Sequence, residues 1–219
     1  LLLATDPDAD RLGAMVRTPD GTYIPLTGNQ TGAILVHYIL DSLSKRRAIP
    51  EKSVIVTSIV TSDFGPDVAR SFGIPTVYTL TGFKNICGKA NEYDRTGEHR
   101  FLFGYEESIG FVYGTRVRDK DAVSSGLLMI EAAAYHKKAG FTLYEWLQEL
   151  FKRYGYYEER MINYVLEGKE GSERIGRIMD RFRAVPLAEV GDISLTHRVD
   201  YAEEPPEAAL KTNCLKFQY

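Results

Sequence analysis

The stretch SVIVTSIV, Ser53 to Val60, is the feature that most constrains the fold of this chain. It is uncharged and rich in β-branched residues, as a strand buried on both faces requires. Such a strand needs a layer of structure on each side of its sheet. The flanking sequence can supply those layers. Asp63 can cap a short helix that closes at Phe72-Gly73, and TVYTL (Thr76 to Leu80) reads as a second strand. A second helix runs from Phe83 to about Tyr93, and RFLFGY (Arg100 to Tyr105) is a third strand. Strands alternating with helices predict the α/β class: a layered α/β/α domain with a mixed, partly parallel sheet.

The same periodicities organise the rest. LLLAT at the start reads as a short buried strand, and LGAMVRTPDGTYIPL as two strands about a Pro19-Asp20-Gly21 turn. Thr27 and Gln30 have capping-box spacing ahead of Ile34, Leu35, Tyr38, Ile39 and Leu43, which recur with helical period. Asp119 can cap a long helix through Ala122, Val123, Leu127, Ile130 and Ala134, ended by Gly140. Thr142 opens a further helix with Leu143, Trp146, Leu147 and Leu150 on one stripe. After Tyr157 the texture changes. LEGKEGSE is polar, Arg174 to Phe182 is a short helical stretch, YAEEPPEAA suits a connector, and NCLKFQY reads as a strand. Both ends look cut within strands, so the chain is expected to be a fragment of a longer protein.

Composition narrows the function classes. The formal net charge of -3 argues against nucleic acid bound through a general basic surface, though not against a local pocket for a phosphorylated ligand. Cys87 and Cys214 form neither a disulfide framework nor a zinc spacing, which makes a reducing cytoplasm the default. No apolar run approaches the roughly 18 residues of a membrane span, and LLLATD lacks the basic start of a secretory signal.

The strongest chemical signal is ATDPDADRLG, Ala4 to Gly13. Asp6, Asp8 and Asp10 alternate, so a turning loop can converge their carboxylates. A hard divalent cation would take those oxygens and cancel their repulsion. An EF-hand calcium loop is excluded, because its sixth position needs Gly and holds Arg11, and its twelfth needs Glu and holds Arg17. A solvated acidic turn is the plain alternative. Arg11 weighs against it, since an arginine beside a metal site suits a phosphate-bearing ligand.

TDPDADRLG resembles the metal loop of the α-D-phosphohexomutases, the phosphoglucomutase/phosphomannomutase family, in its bacterial phosphoglucomutase-like branch. Three further stretches agree in order: LTGFKNI (Leu80 to Ile86), FGYEESIGF (Phe103 to Phe111) and RVRDKDAV (Arg116 to Val123). The resemblance implies Asp6, Asp8 and Asp10 as ligands of Mg2+, with Arg11 near the phosphoryl group. It implies Glu106 and Ser108 as partners of sugar hydroxyls and Lys120 as a general acid/base. Thr81, Gly82, Lys84 and Arg118 are further candidates for substrate contact. The implied reaction moves a phosphoryl group between O1 and O6 of a hexose phosphate through a phosphoserine, with glucose 1,6-bisphosphate or an analogue as intermediate. Implied partners are that substrate and the remaining domains of the parent chain, with no nucleic acid and no membrane.

The family's serine loop, of the T-A-S-H-N-P type, and its R-x-S-G-T-E-P phosphate loop do not occur in these residues. Residues 1–26 would then be the end of a second domain, 27–157 a third domain, and 158–219 a linker and the start of a fourth. The isolated chain is expected to be inactive and to hold metal weakly. A Mg2+-dependent sugar phosphatase and a non-catalytic sugar-phosphate-binding module are the alternatives from other classes.

Single residues add detail. Glu106 follows an apolar strand, where open α/β sheets bind ligands, and a carboxylate can accept from two hydroxyls. Lys120 lies by a helix start with Arg116 and Arg118 near it in sequence, which predicts a lowered pKa. His37, His99, His136 and His197 have no metal spacing. Cys87 reads as a buried thiol.

Overall fold

The structure, a computed structural model, describes residues 1–219. It divides into two compact units, Leu1–Glu158 and Glu159–Tyr219.

The first unit begins with a three-stranded antiparallel sheet, β1 (Leu2–Thr5), β2 (Leu12–Arg17) and β3 (Tyr23–Pro25), with β2 in the middle. β1 is a strand as expected but not a buried one, because it forms an edge of this sheet and Leu1 and Leu2 stand exposed. Helix α1 (Gly28–Lys45) follows, and its start is the capping box the sequence predicts: the Thr27 hydroxyl accepts from Gln30 N–H while the Gln30 side chain accepts from Thr27 N–H.

A second sheet comes next. Its strands are β4 (Ser53–Ser58), β5 (Thr76–Thr79), β6 (Arg100–Glu106) and β7 (Gly110–Tyr113), in the order β5-β4-β6-β7. β4 is parallel to β5 and β6, and β7 returns antiparallel to β6. Every residue of β4 is buried, as its composition requires. Val54 and Val56 face α3 (Phe83–Thr96), packing with Ile86, Cys87 and Ala90. Ile55 faces the opposite side, covered by α1 and α2 (Phe64–Ser71). Phe101 and Phe103 have the same alternation parity, yet they enter different cores. The register with β4 slips between Val54 and Ile55, so Phe101 pairs with Val54 and Phe103 with Ile55. Tyr105 passes between α1 and α2, where a Cβ on Gly32 or Gly65 would lie 2.4 Å or 2.0 Å from its side chain.

Helices α4 (Ala122–Lys138) and α5 (Leu143–Tyr154) complete the unit. The α5 stripe of Leu143, Trp146, Leu147 and Leu150 is buried as expected. Leu12, Ala14 and Val16 of β2 share its hydrophobic cluster, so the first residues of the chain pack into the same core as α1 and α5.

Three expectations fail in instructive ways. The Asp63 carboxylate caps nothing; it accepts from the Tyr78 hydroxyl instead. Asp121, not Asp119, caps α4, accepting from Val123 and Ser124 N–H. Of the apolar residues the sequence placed along α4, most lie outside the core. Val123, Leu127 and Ile130 are 71%, 60% and 54% exposed, and the buried face consists of Ala122, Ser125, Gly126, Met129, Ala132 and His136. That face packs toward the first sheet, with Leu12 of β2 and Leu3 of β1 beside Gly126.

The second unit holds α6 (Gly168–Ala184), longer than the sequence suggested, and two small antiparallel pairs. These are β8 (Glu189–Val190) with β9 (Ile193–Ser194), and β10 (His197–Asp200) with β11 (Leu215–Gln218). Asp200 is its buried anchor, bonded by Arg183 Nε at 3.1 Å and Arg198 at 3.4 Å. In neither unit is a helix long and apolar enough to cross a membrane.

Candidate functional site

The acidic loop joins β1 to β2 and is wound tightly enough to satisfy its own backbone. The Asp6 carboxylate accepts from Asp10 N–H at 3.1 Å and Arg11 N–H at 3.0 Å, and Ala9 N–H bonds the Asp6 carbonyl. Ala9 adopts φ of +55°, a left-handed conformation uncommon outside glycine, and this reverses the chain. The result is convergence. Carboxylate oxygens of Asp6, Asp8 and Asp10 all lie within 4.8 Å of one another. The Arg11 N–H bond chiefly holds the Asp6 carboxyl below its ordinary range, so it stays ionised.

The donor set fits a hard divalent cation. It offers only carboxylate oxygens, and Asp10 Oδ1 is buried with no hydrogen-bond partner. The nearest cation, Arg11 Nε at 3.8 Å, is beyond hydrogen-bond reach, so a metal ion could answer that oxygen more closely.

Lys120 reaches into the same loop. Its Nζ is 2.9 Å from Asp10 Oδ2 and 3.7 Å from Asp119, and its stem lies against Gly110, where a Cβ would be 2.5 Å from Lys120 Cδ. The Phe83 ring sits 5.5 Å below the ammonium. The sequence predicts a lowered pKa here, and the structure reverses that. Partial burial does work to lower it. The Asp10 hydrogen bond and the charges of Asp119 and Glu106 outweigh burial and raise it. The expected positive neighbours are elsewhere: Arg118 is ion-paired with Asp94, and Arg116 makes no bond to Lys120.

Glu106 ends β6 at the carboxyl end of the parallel strands and is only 8% exposed. Ser108 Oγ donates to its Oε1 at 3.0 Å. The turn that holds both is short, and Ile109 within it has φ of +59°. What fixes it is Glu107, which was not among the sequence candidates. Glu107 accepts from Thr61 at 2.9 Å and from Ser58 at 3.4 Å, and these two hydroxyls bond each other at 2.8 Å. On the far side, Gly28 packs directly on the Glu107 carbonyl, where a Cβ would fall 2.0 Å from the oxygen. Hydroxyls at the end of a buried strand, facing an acidic turn, were the available signal.

Backbone bonds stitch three loops together. Leu12 N–H donates to Ile109 O at 3.0 Å, Arg11 bridges to Gly110, and Ala122 N–H donates to Ala9 O at 3.1 Å. The acidic loop, the Glu106-Ser108 turn and the lead into α4 are therefore one assembly. Arg11 Nε stays 3.8 Å from Asp10 Oδ1, with its side chain half exposed.

The remaining candidates are less tightly joined. Thr81 and Gly82 form the lip before α3, with Gly82 at φ of +101° and the Thr81 carbonyl accepting from Asn85. Lys84 is exposed on α3 and has no ion-pair partner. Arg118 is turned to Asp94 and away from the carboxylates. His37 and His136 are buried among aromatic rings, and Cys87 is a buried thiol pushed up to about 11 by desolvation, so none belongs to the site.

Comparison with known proteins points to one family. Residues 27–154 match the family described as phosphoglucomutase/phosphomannomutase, alpha/beta/alpha domain III. A phosphoglucomutase of Staphylococcus aureus (strain USA300) is 36% identical over 201 residues, which is 92% of this chain and 35% of that protein. The chain thus spans about a third of the length of the curated relatives it matches. Among solved structures, the Paramecium phosphoprotein pp63/parafusin, a phosphoglucomutase in its open form, aligns with 99% of this chain and 35% of its own, with a TM-score of 0.64 and 20% identity. The N-acetylphosphoglucosamine mutase of Aspergillus fumigatus, in complex with GlcNAc-6P and magnesium, aligns with 67% of this chain and 34% of its own, with a TM-score of 0.50 and 19% identity.

Proposed function

This chain belongs to the phosphoglucomutase/phosphomannomutase family, and on that premise we propose that it carries the metal and sugar sites of a phosphohexomutase. The parent enzyme moves a phosphoryl group between O1 and O6 of a hexose phosphate, by way of a phosphoserine and a hexose 1,6-bisphosphate. The observation that carries this is the joining of the three-aspartate loop to both Lys120 and the Glu106-Ser108 turn.

Mg2+ held by Asp6, Asp8 and Asp10 would supply Lewis-acid stabilisation of a phosphoryl oxygen. The chain's own residues do the rest. Glu106 is buried and acceptor-only, so it binds two sugar hydroxyls, and Ser108 donates or accepts beside it. A few hydroxyl contacts of this kind can hold the ring in either orientation, as a reaction at both O1 and O6 demands. Lys120, kept protonated by Asp10, delivers positive charge or a proton at the oxygen that phosphate leaves. Arg11 orients the phosphoryl group. Thr81, Gly82 and Lys84, with Arg118 once it is released from Asp94, would contact the substrate. The domain reading of 1–26, 27–157 and 158–219 and a cytoplasmic setting belong to the same proposal.

A coupled assay with glucose 1-phosphate tests it. In the parent enzyme Glu106→Gln should lower kcat/KM by about 10- to 100-fold, the loss expected when a charged hydrogen-bond acceptor is removed. The isolated 219-residue chain should show no turnover, having no serine-loop motif. Turnover by the isolated chain, or release of inorganic phosphate without transfer to the second position, would overturn the reading.

A further inference from the structure

A cavity lies at the end of the sheet opposite the Glu106 turn. It encloses about 660 Å³ where β4 and β6 begin and β7 ends, roughly 20 Å from Glu106 along the length of β6. Its position follows from topology. Lys52 precedes β4, Arg100 opens β6 and Arg116 follows β7, so three adjacent strands bring a cation to the same end. Arg100 N–H bonds the Lys52 carbonyl at 2.9 Å, and Tyr113, three residues before Arg116, pairs with Phe103, three after Arg100.

The charges are not answered within the protein. Lys52 Nζ is held on the Gly97 carbonyl at the end of α3, with its backbone at φ of +58°. Arg100 and Arg116 have neither an ion pair nor a side-chain hydrogen bond. Two carboxylates also line the cavity, Glu51 and Asp94, but Asp94 is taken by Arg118. A surplus of positive charge therefore collects here, in a chain of net charge -3. Like charges on neighbouring strands repel, and an anion between them relieves the cost. Two guanidinium forks suit phosphate oxygens, the volume suits a small organic molecule, and Tyr113 offers a half-exposed ring beside them.

We propose that this cavity is a second ligand site, which takes an organic phosphate ester with its phosphate on Arg100 and Arg116 and its organic part against Tyr113. It is separate from the metal and sugar residues and does not depend on their assignment.

The test is an amide NMR titration of the 219-residue chain with inorganic phosphate and, separately, with AMP. Both should shift Lys52, Arg100, Gly114 and Arg116, and AMP should bind more tightly. The double variant R100Q/R116Q should weaken AMP binding at least about tenfold, whereas E106Q should leave these shifts unchanged. For the wild-type chain, binding should weaken as salt is raised. The proposal is overturned if these amides do not move, if AMP binds no better than phosphate, if the shifts survive in R100Q/R116Q, or if they are insensitive to salt.

Discussion

Lys120 Nζ lies 2.9 Å from Asp10 Oδ2, so an ammonium already occupies one oxygen of the carboxylate cluster that suits a divalent cation. The two cations compete for Asp10. Lys120→Met should tighten Mg2+ binding to this chain by roughly fivefold, or about 1 kcal/mol, the scale of a partly exposed ion pair. Calorimetry measures it directly. Unchanged or weaker binding would mean that Lys120 supports the loop and does not compete for it.

Gly28 tests the wedge beneath the sugar turn. Any side chain there meets backbone and not a movable group: a Cβ would be 2.0 Å from Glu107 O and 2.9 Å from Ile109 N. Gly28→Ala should destabilise the chain by about 2 kcal/mol in urea unfolding, the usual scale of overpacking. It should also displace the amides of Glu107 to Ile109, and a variant as stable as the parent would show that the wedge is slack.

The two aspartates before α4 give opposite expectations. Asp121→Ala removes acceptors from Val123 and Ser124 N–H and should cost about 1 kcal/mol. Asp119 is exposed and bonds only the adjacent Lys120 N–H and, at 3.7 Å, its ammonium, so Asp119→Ala should change stability by less than about 0.5 kcal/mol. Thermal melts of the pair decide which residue is the cap.

Acid stability should be set in part by a buried histidine pair. Burial lowers His37 and His136 to about 4 each, with Asp41 opposing the shift and Lys45 and Arg153 adding to it. Their rings are 6.0 Å apart, and Trp146 stacks on His136 at 4.1 Å. Below the unfolded value near 6.5 the unfolded chain binds protons that the folded one refuses. Stability contributed by the neutral pair is therefore present above about 6.5 and lost as pH falls toward about 4, on the order of 3 kcal/mol per histidine. His136→Phe should remove about half of that slope in urea titrations across the window. An unchanged slope would place the acid sensitivity elsewhere.

Local rules were legible where one principle acted alone. The β4 run has no use except burial on both faces, and the Thr27 capping box satisfies its own helix start. The acidic loop was legible because like charges at that spacing demand an external answer. Misplacements arose where tertiary contact chose between equivalents. Two aspartates stood within three residues before α4, and only the docked chain selects Asp121. Both faces of α4 carry apolar residues, and docking of the helix buried the face of Ala122, Met129 and Ala132 and left Val123, Leu127 and Ile130 outside. The Lys120 ammonium was misjudged because its ruling neighbour, Asp10, is distant in sequence. Glu107 was missed because Ser58 and Thr61 come from another strand end.

The bonds from Leu12 to Ile109 and from Ala122 to Ala9 carry a lesson for anyone re-engineering this scaffold. Segments that share main-chain bonds cannot be exchanged one at a time. A transplanted turn for a different sugar would arrive without the acidic loop that braces it, and a transplanted acidic loop without the helix lead that closes it. Any portable cassette must carry all three together with the Gly28, Ser58 and Thr61 supports of the turn, even though about a hundred residues separate the first loop from the last.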